Sequence, residues 1–203
     1  MDRFLSQTRK LFKKSPKRLF TRLVNINVEN VENFKAAGSV FTDSKIILAG
    51  YQPRKKKPFI SGIGGKREEG ESYMDTAIRE TVEELFEFKD TPKELLGELK
   101  TSIVPQKVLQ NGSYIIVVYN FNDLERFLSI IQKYKLHSVL YNEFPKNLME
   151  LIFNRNLEFP SKKVDVFFKP ELSHLSLLPL VQHDKANPFV DPYFVKDMVG
   201  LLK

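Results

Sequence analysis

No cysteine occurs among the 203 residues, so a disulfide framework and a thiolate metal site are both excluded. No apolar run reaches the roughly 18 residues that a membrane-spanning helix needs. The N-terminus is basic, but no apolar stretch of sufficient length follows it, so a secretory signal is not expected. These absences point to an intracellular, cytoplasmic protein. The only histidines are His137, His174 and His183. They share no metal-ligand spacing and read as surface or packing residues. The chain also lacks a Walker loop, a serine nucleophile elbow, internal repeats and low-complexity tracts. Its length suits one domain with additions.

Basic residues are in excess, with a net charge of +7. The excess is local. Arg3, Arg9, Lys10, Lys13, Lys14, Lys17, Arg18 and Arg22 stand against Asp2 alone, and the rest of the chain is balanced. Residues 1–24 read as a basic, amphipathic helical arm, with Phe4, Leu5, Leu11, Phe12, Leu19, Phe20 and Leu23 between the charges and Pro16 as a break. Three readings stay open: contact with RNA or an anionic membrane, organelle targeting, or a solvated helix packed on the domain by its apolar side. Residues 25–35 are polar and Asn-rich and read as a connector or a short edge strand.

The body of the chain alternates strand and helix signals. Ala36–Phe41 and Lys45–Ala49 predict two strands around an Asp43-Ser44 turn, read as a hairpin. The run Arg54-Lys55-Lys56-Lys57 lies in the next loop, where it is either solvated or an attraction for phosphate. Residues 94–109 suggest one or two short strands around Pro105. Asn111-Gly112 is a turn signal, and Tyr114–Tyr119 is a buried strand by pattern. Helical spacing covers 122–134 and 145–154, and strands are expected at 164–168 and 172–180. Asp191 and Pro192 predict the N-cap and first residue of a closing helix to Lys203.

The most informative stretch is 64–85, where a double glycine runs into a helix with Ser72 as N-cap. Met74, Ile78, Thr81, Val82 and Leu85 make an apolar face. Glu80, Glu83, Glu84 and Glu87 make an acidic ridge at helical spacing. Such a ridge is commonly just a solvated face; its other reading is a site for a hard divalent cation, which favours carboxylate oxygens. The glycines let bare backbone approach the same site.

This stretch resembles the Nudix box, G-x5-E-x7-R-E-U-x-E-E-x-G-U, where U is aliphatic. Gly65, Glu71, Arg79, Glu80, Glu83 and Glu84 fill six of its fixed positions. Six such matches arise by chance on the order of 10⁻⁷ per starting point. The terminal glycine position holds Phe86 and the aliphatic one after it Glu87, while Thr81 fills the first U and Ile63 a position often held by proline. Loss of the glycine predicts that the helix runs on towards Phe88.

The resemblance implies an α/β fold, a Nudix-like α/β/α sandwich with a mixed sheet. The arm and connector would occupy 1–35 and the Nudix domain 36–203, with a helical insertion at about 121–158. It implies metal-dependent hydrolysis of a diphosphate linking a nucleoside to another moiety. Glu80, Glu83 and Glu84, with the Gly64 carbonyl, would hold Mg²⁺ or Mn²⁺; Glu71 would support the site and Arg79 would orient a carboxylate. The general base would be Glu83 or Glu84, or one of Asp123, Glu143 and Glu171. Arg54 and Lys66 are the candidates for binding a phosphate-rich substrate. The 5′ cap of mRNA is one such substrate; small dinucleotides, nucleotide sugars and diphosphoinositol phosphates are alternatives. A non-catalytic nucleotide- or RNA-binding protein on the same fold is the rival class.

Overall fold

The computed structural model describes residues 24–25, 33–53, 59–155, 170–180 and 189–201. The basic arm, the Arg54–Lys57 run and the strand expected at 164–168 lie outside them, apart from Val24. In chain order the elements are β1 (Val24–Asn25), β2 (Ala36–Phe41), β3 (Ile46–Gln52), β4 (Phe59–Ser61), β5 (Ile63–Lys66), α1 (Tyr73–Phe86), α2 (Lys93–Ser102), β6 (Lys107–Asn111), β7 (Tyr114–Tyr119), α3 (Phe121–Lys133), α4 (Leu148–Phe153), β8 (His174–Pro179) and α5 (Pro192–Leu201).

Two sheets form. The larger runs β1-β6-β7-β2-β5 and the smaller β4-β3-β8. β2 and β7 pair in parallel and the other neighbours antiparallel, so the larger sheet is mixed. The expected hairpin does not form. β2 and β3 meet only at the Thr42–Ile47 bridge and then enter different sheets. The Asp43-Ser44 turn is real, but each strand finds a better partner far away in sequence.

Alternation along β2 and β7 explains why both run buried. Ala37, Phe41, Ile115, Val117 and Tyr119 join the core beneath α1 and α3. Val40, Ile116 and Val118 face the other way, onto Ile47 and Ala49 of β3 and onto Phe194 and Met198 of α5. A strand covered on both faces reads as an unbroken apolar run, as Tyr114–Tyr119 does. This is the α/β/α sandwich the sequence suggests.

α1 begins as expected. The Ser72 hydroxyl accepts from Asp75 N, and the Asp75 carboxylate accepts from Ser72 N, forming a capping box. Thr81, at an aliphatic position of the motif, is fully buried, its hydroxyl satisfied 2.7 Å from Ser39 Oγ and 2.6 Å from Ala77 O. The helix stops at Phe86 rather than running on to Phe88. Glu87 takes a left-handed conformation, φ +44°, and Phe88 bridges to Ser138. Phe86 fills the core, stacked on Phe88 and Phe144.

The segment expected as strands around Pro105 is instead helix α2 followed by β6. Leu95 and Leu99 sit one helical turn apart, one above the other on the face turned to the core, and both are completely buried. The closing helix is capped as expected: Asp191 Oδ1 accepts from Tyr193 N at 2.6 Å and Phe194 N at 3.3 Å.

Candidate active site

β5 is the edge strand that carries Gly64 and Gly65. In its ladder with β2, Gly64 faces Gly38 and Ala37 faces Gly65. Arg67 N donates to Lys35 O in the pair two steps beyond Gly65, so by antiparallel alternation Gly38–Gly64 is a non-hydrogen-bonded pair. Its polar groups therefore point away from β2. Gly64 N donates to Glu84 Oε2 at 2.7 Å. A Cβ on Gly65 would lie 2.3–2.4 Å from the Glu80 carboxyl, so that carboxyl rests on the Gly65 backbone. Both side chains thus reach the double glycine from one ridge of α1, and the pair lies in an edge strand rather than in a turn.

Arg79 organises the remaining acids. Its Nε bonds Glu71 Oε1 at 2.7 Å, and Nη1 bonds both Glu80 and Glu83 at 2.9 Å. Nη2 reaches Glu71 Oε2 at 3.1 Å and Lys66 O at 2.8 Å. This uses the fixed fork of the guanidinium, which lysine could not reproduce. Glu71 also accepts from the Thr76 hydroxyl and Glu68 N. Burial works to raise its pKa, but the Arg79 bond and these two donors outweigh it and hold Glu71 below the usual carboxylate range. The bond to Glu71 is also the main reason that Arg79 is held more firmly protonated than usual.

Glu84 is the opposite case. Only 1% exposed, it is pushed well above the usual range by burial, with the charges of Glu171 and Glu80 adding to the rise and Gly64 N opposing it. Glu80 is raised by burial too, with Arg79 opposing and Glu83 and Glu171 adding. Burial likewise raises Glu83, against Arg79. Buried carboxylates that crowd one another call for a cation. Among the described residues no three acidic or histidine side chains form a ready-made cage. An ion of the Mg²⁺ type needs only one or two carboxylates and takes water and phosphate oxygens for the rest, so the donor set fits it.

A family model of the NUDIX domain matches residues 32–137, more than half of the chain. The chain belongs to the Nudix family. A search of curated proteins finds no match. Among solved structures, it is similar at 18% identity and a TM-score of 0.31 to a bifunctional NMN adenylyltransferase/ADP ribose pyrophosphatase from Francisella tularensis, complexed with AMP and a Mn ion. That similarity covers 59% of this chain and 32% of the other, about a third of its length.

Of the candidate site residues, Glu84 meets Gly64 and Glu80 meets Gly65 directly, whereas Glu71 and Glu83 join Glu80 through Arg79. Glu87 leaves the ridge and accepts from Glu171 N at 2.6 Å. Lys66 is exposed, and its carbonyl serves Arg79; Arg54 lies outside the described residues. Of the three later acids, only Glu171 is brought to the box, where its charge acts on both Glu80 and Glu84. Asp123 caps α3 and Glu143 is exposed. His137 and His174 are exposed, and His183 lies outside the described residues.

Sequence reasoning missed a cleft of about 520 Å³ on the sheet face turned away from α1. Gln52, Ser61, Gly64, Asn111, Tyr114, Phe194 and Asp197 contribute to its walls. Gly64 is therefore shared between this cleft and the carboxylates. Asp197 accepts from Asn111 Nδ2 at 2.6 Å and is pushed up to about 7 by burial, against that bond. A lone acid among the apolar residues of 192–201 was the available signal.

A pH dependence follows. With its pKa raised on folding, Asp197 holds a proton in the native state that the unfolded chain releases at lower pH. Its contribution is intact below about 4 and is lost as pH rises through about 7. Between pH 5 and 8 this amounts to about 3 kcal/mol. Urea denaturation at the two pH values should show Asp197→Asn losing less stability than the wild type. Parallel losses would mean that Asp197 titrates normally.

Proposed function

We propose that this Nudix protein is a pyrophosphohydrolase that cleaves the diphosphate of a nucleoside diphosphate linked to another moiety. The observation that carries the reading is the meeting of Glu80 and Glu84 with the Gly64-Gly65 pair. Glu80, Glu83, Glu84 and the Gly64 carbonyl would hold Mg²⁺ or Mn²⁺. When bound, the ion supplies charge neutralisation for the diphosphate oxygens. Arg79 keeps Glu71, Glu80 and Glu83 oriented through an ion pair to each. Glu171, facing the raised carboxylates from the opposite segment, takes the proton of the attacking water. Lys66 and Arg54 draw in the polyanion.

The cleft beyond Gly64 receives the nucleoside, with the exposed Tyr193 offering a ring to stack on and Gln52, Asn111 and Asp197 offering polar edges. Residues 36–203 make the catalytic domain, and the helices of 121–158 are an addition packed on the α1 side of the sheet, away from the cleft. Within the substrate class, the mRNA cap is favoured by the basic residues 1–24, which suit the RNA body.

The test is product release with Mg²⁺ from capped RNA, diadenosine polyphosphate, a nucleotide sugar and a diphosphoinositol phosphate. Turnover of at least one is expected, with capped RNA the most salt-sensitive. If no compound turns over and the wild type is as inert as Glu84→Gln, the chain is a binding protein instead.

A further inference from the structure

The last four carbonyls of an α-helix have no partner within it, and a glycine after the helix is the usual route to satisfying them. This chain has Phe86 where the Nudix box has that glycine. Its helix end is nonetheless fully satisfied. Glu83 O accepts from Glu87 N at 2.8 Å, and Phe86 O accepts from the Ser138 hydroxyl. Glu84 O and Leu85 O accept from Arg155, at 3.0 Å from Nη2 and 3.1 Å from Nη1.

Arg155 is 5% exposed. Its guanidinium bonds no carboxylate; every acceptor it meets is neutral. Besides the two helix carbonyls it donates to Tyr141 Oη at 2.8 Å and to Leu172 O. Arg155 feels the Glu84 charge without bonding it, and burying a charge with no carboxylate in contact is costly. It is tolerable here because the fork satisfies four acceptors from three separate segments. One of these carries Glu84, and another lies next to Glu171. The Glu171 backbone is held a second time, by Glu87. The opposed acids thus hang from the two ends of one rigid group.

We propose that Arg155 is a positioning residue for the acidic site, tying the carbonyls at the end of α1 to the 170–173 segment and so fixing the separation of Glu84 and Glu171. It lies beyond the stretch that matches the family model, residues 32–137. The inference rests on the reading of that site as a cation-dependent one.

The experiment titrates Mn²⁺ alone into the full chain by calorimetry, for the wild type, Arg155→Met, Arg155→Lys and Ser138→Ala. Arg155→Met is expected to weaken Mn²⁺ binding about tenfold, the low end for groups that orient ligands. With the preferred substrate of the panel, kcat should fall more than KM rises. Arg155→Lys should fail to rescue, because a single ammonium cannot bridge the same acceptors. Ser138→Ala should lower Tm yet bind Mn²⁺ like the wild type. If Arg155→Met does not fold, Arg155→Lys carries the test: wild-type affinity in the variant that folds overturns the proposal. Absence of Mn²⁺ binding in the wild type overturns the cation reading itself, and this inference with it.

Discussion

Glu84→Gln is expected to cut metal-dependent turnover at least about a hundredfold while making the metal-free protein harder to unfold. The side chain is almost fully buried and has one strong donor, Gly64 N at 2.7 Å. Glutamine keeps an oxygen for that donor and keeps the volume. What it removes is a charge that burial, Glu171 and Glu80 all disfavour. Without a bound cation, the wild-type carboxylate is therefore a liability, and its removal should stabilise by about 1–2 kcal/mol. With Mg²⁺ the order reverses, because the wild type gains ligand-linked stability that the variant lacks. Urea unfolding in EDTA and in Mg²⁺, beside the turnover assay, reads all three effects. A variant that is weaker in EDTA and still turns over would show Glu84 to be a structural hydrogen-bond acceptor only.

That liability was legible in the sequence in outline. The spacing of Gly65, Glu71, Arg79, Glu80, Glu83 and Glu84 pointed to one helical ridge beside a flexible bend, and the helix with its Ser72 cap is where the pattern put it. Local signals of this kind survive folding because caps and periodicity act within one or two turns. Pairing is not local. β2 was recognisable as a strand, but its parallel partner β7 follows four more strands and two helices, so the adjacent β3 looked like the mate. α2 was lost because Pro105 drew attention to an extended segment, while the Leu95–Leu99 repeat, one turn long, was too short to stand out. Arg155 carried no signal at all. One arginine beyond a short helix acquires its role only when the ends of α1 and the 170–173 segment converge on it. Glu171 likewise could not be chosen over Asp123 and Glu143 until the chain had folded.

Gly64→Ala should cost several kcal/mol, a large share of the about 5–15 kcal/mol that holds a domain folded. Two causes add. The backbone there has φ +151°, which costs a side-chain-bearing residue about 1–3 kcal/mol. The new methyl would also lie 2.4 Å from Tyr114 Oη, 2.5 Å from Gly38 Cα and 2.7 Å from Ala37 O. Two of those atoms belong to the backbone of β2, which is fixed between β7 and β5 and cannot retreat. Overpacking of this kind adds about 1–3 kcal/mol. The strand able to yield is β5, at the sheet edge, and yielding would carry Gly64 N away from Glu84. Two neighbouring glycines separate the causes. Gly65→Ala meets only the Glu80 carboxyl, the end of a side chain that can move, so the fold should survive while Mn²⁺-dependent turnover falls. Gly70→Ala has φ +81° and nothing within 4 Å, so it should show backbone strain alone and keep turnover. Urea midpoints and turnover for the three variants should therefore rank differently. A Gly64→Ala protein as stable as the wild type would mean that the double glycine does not press against β2 and Tyr114, and that its hold on Glu84 is looser than a 2.7 Å bond implies.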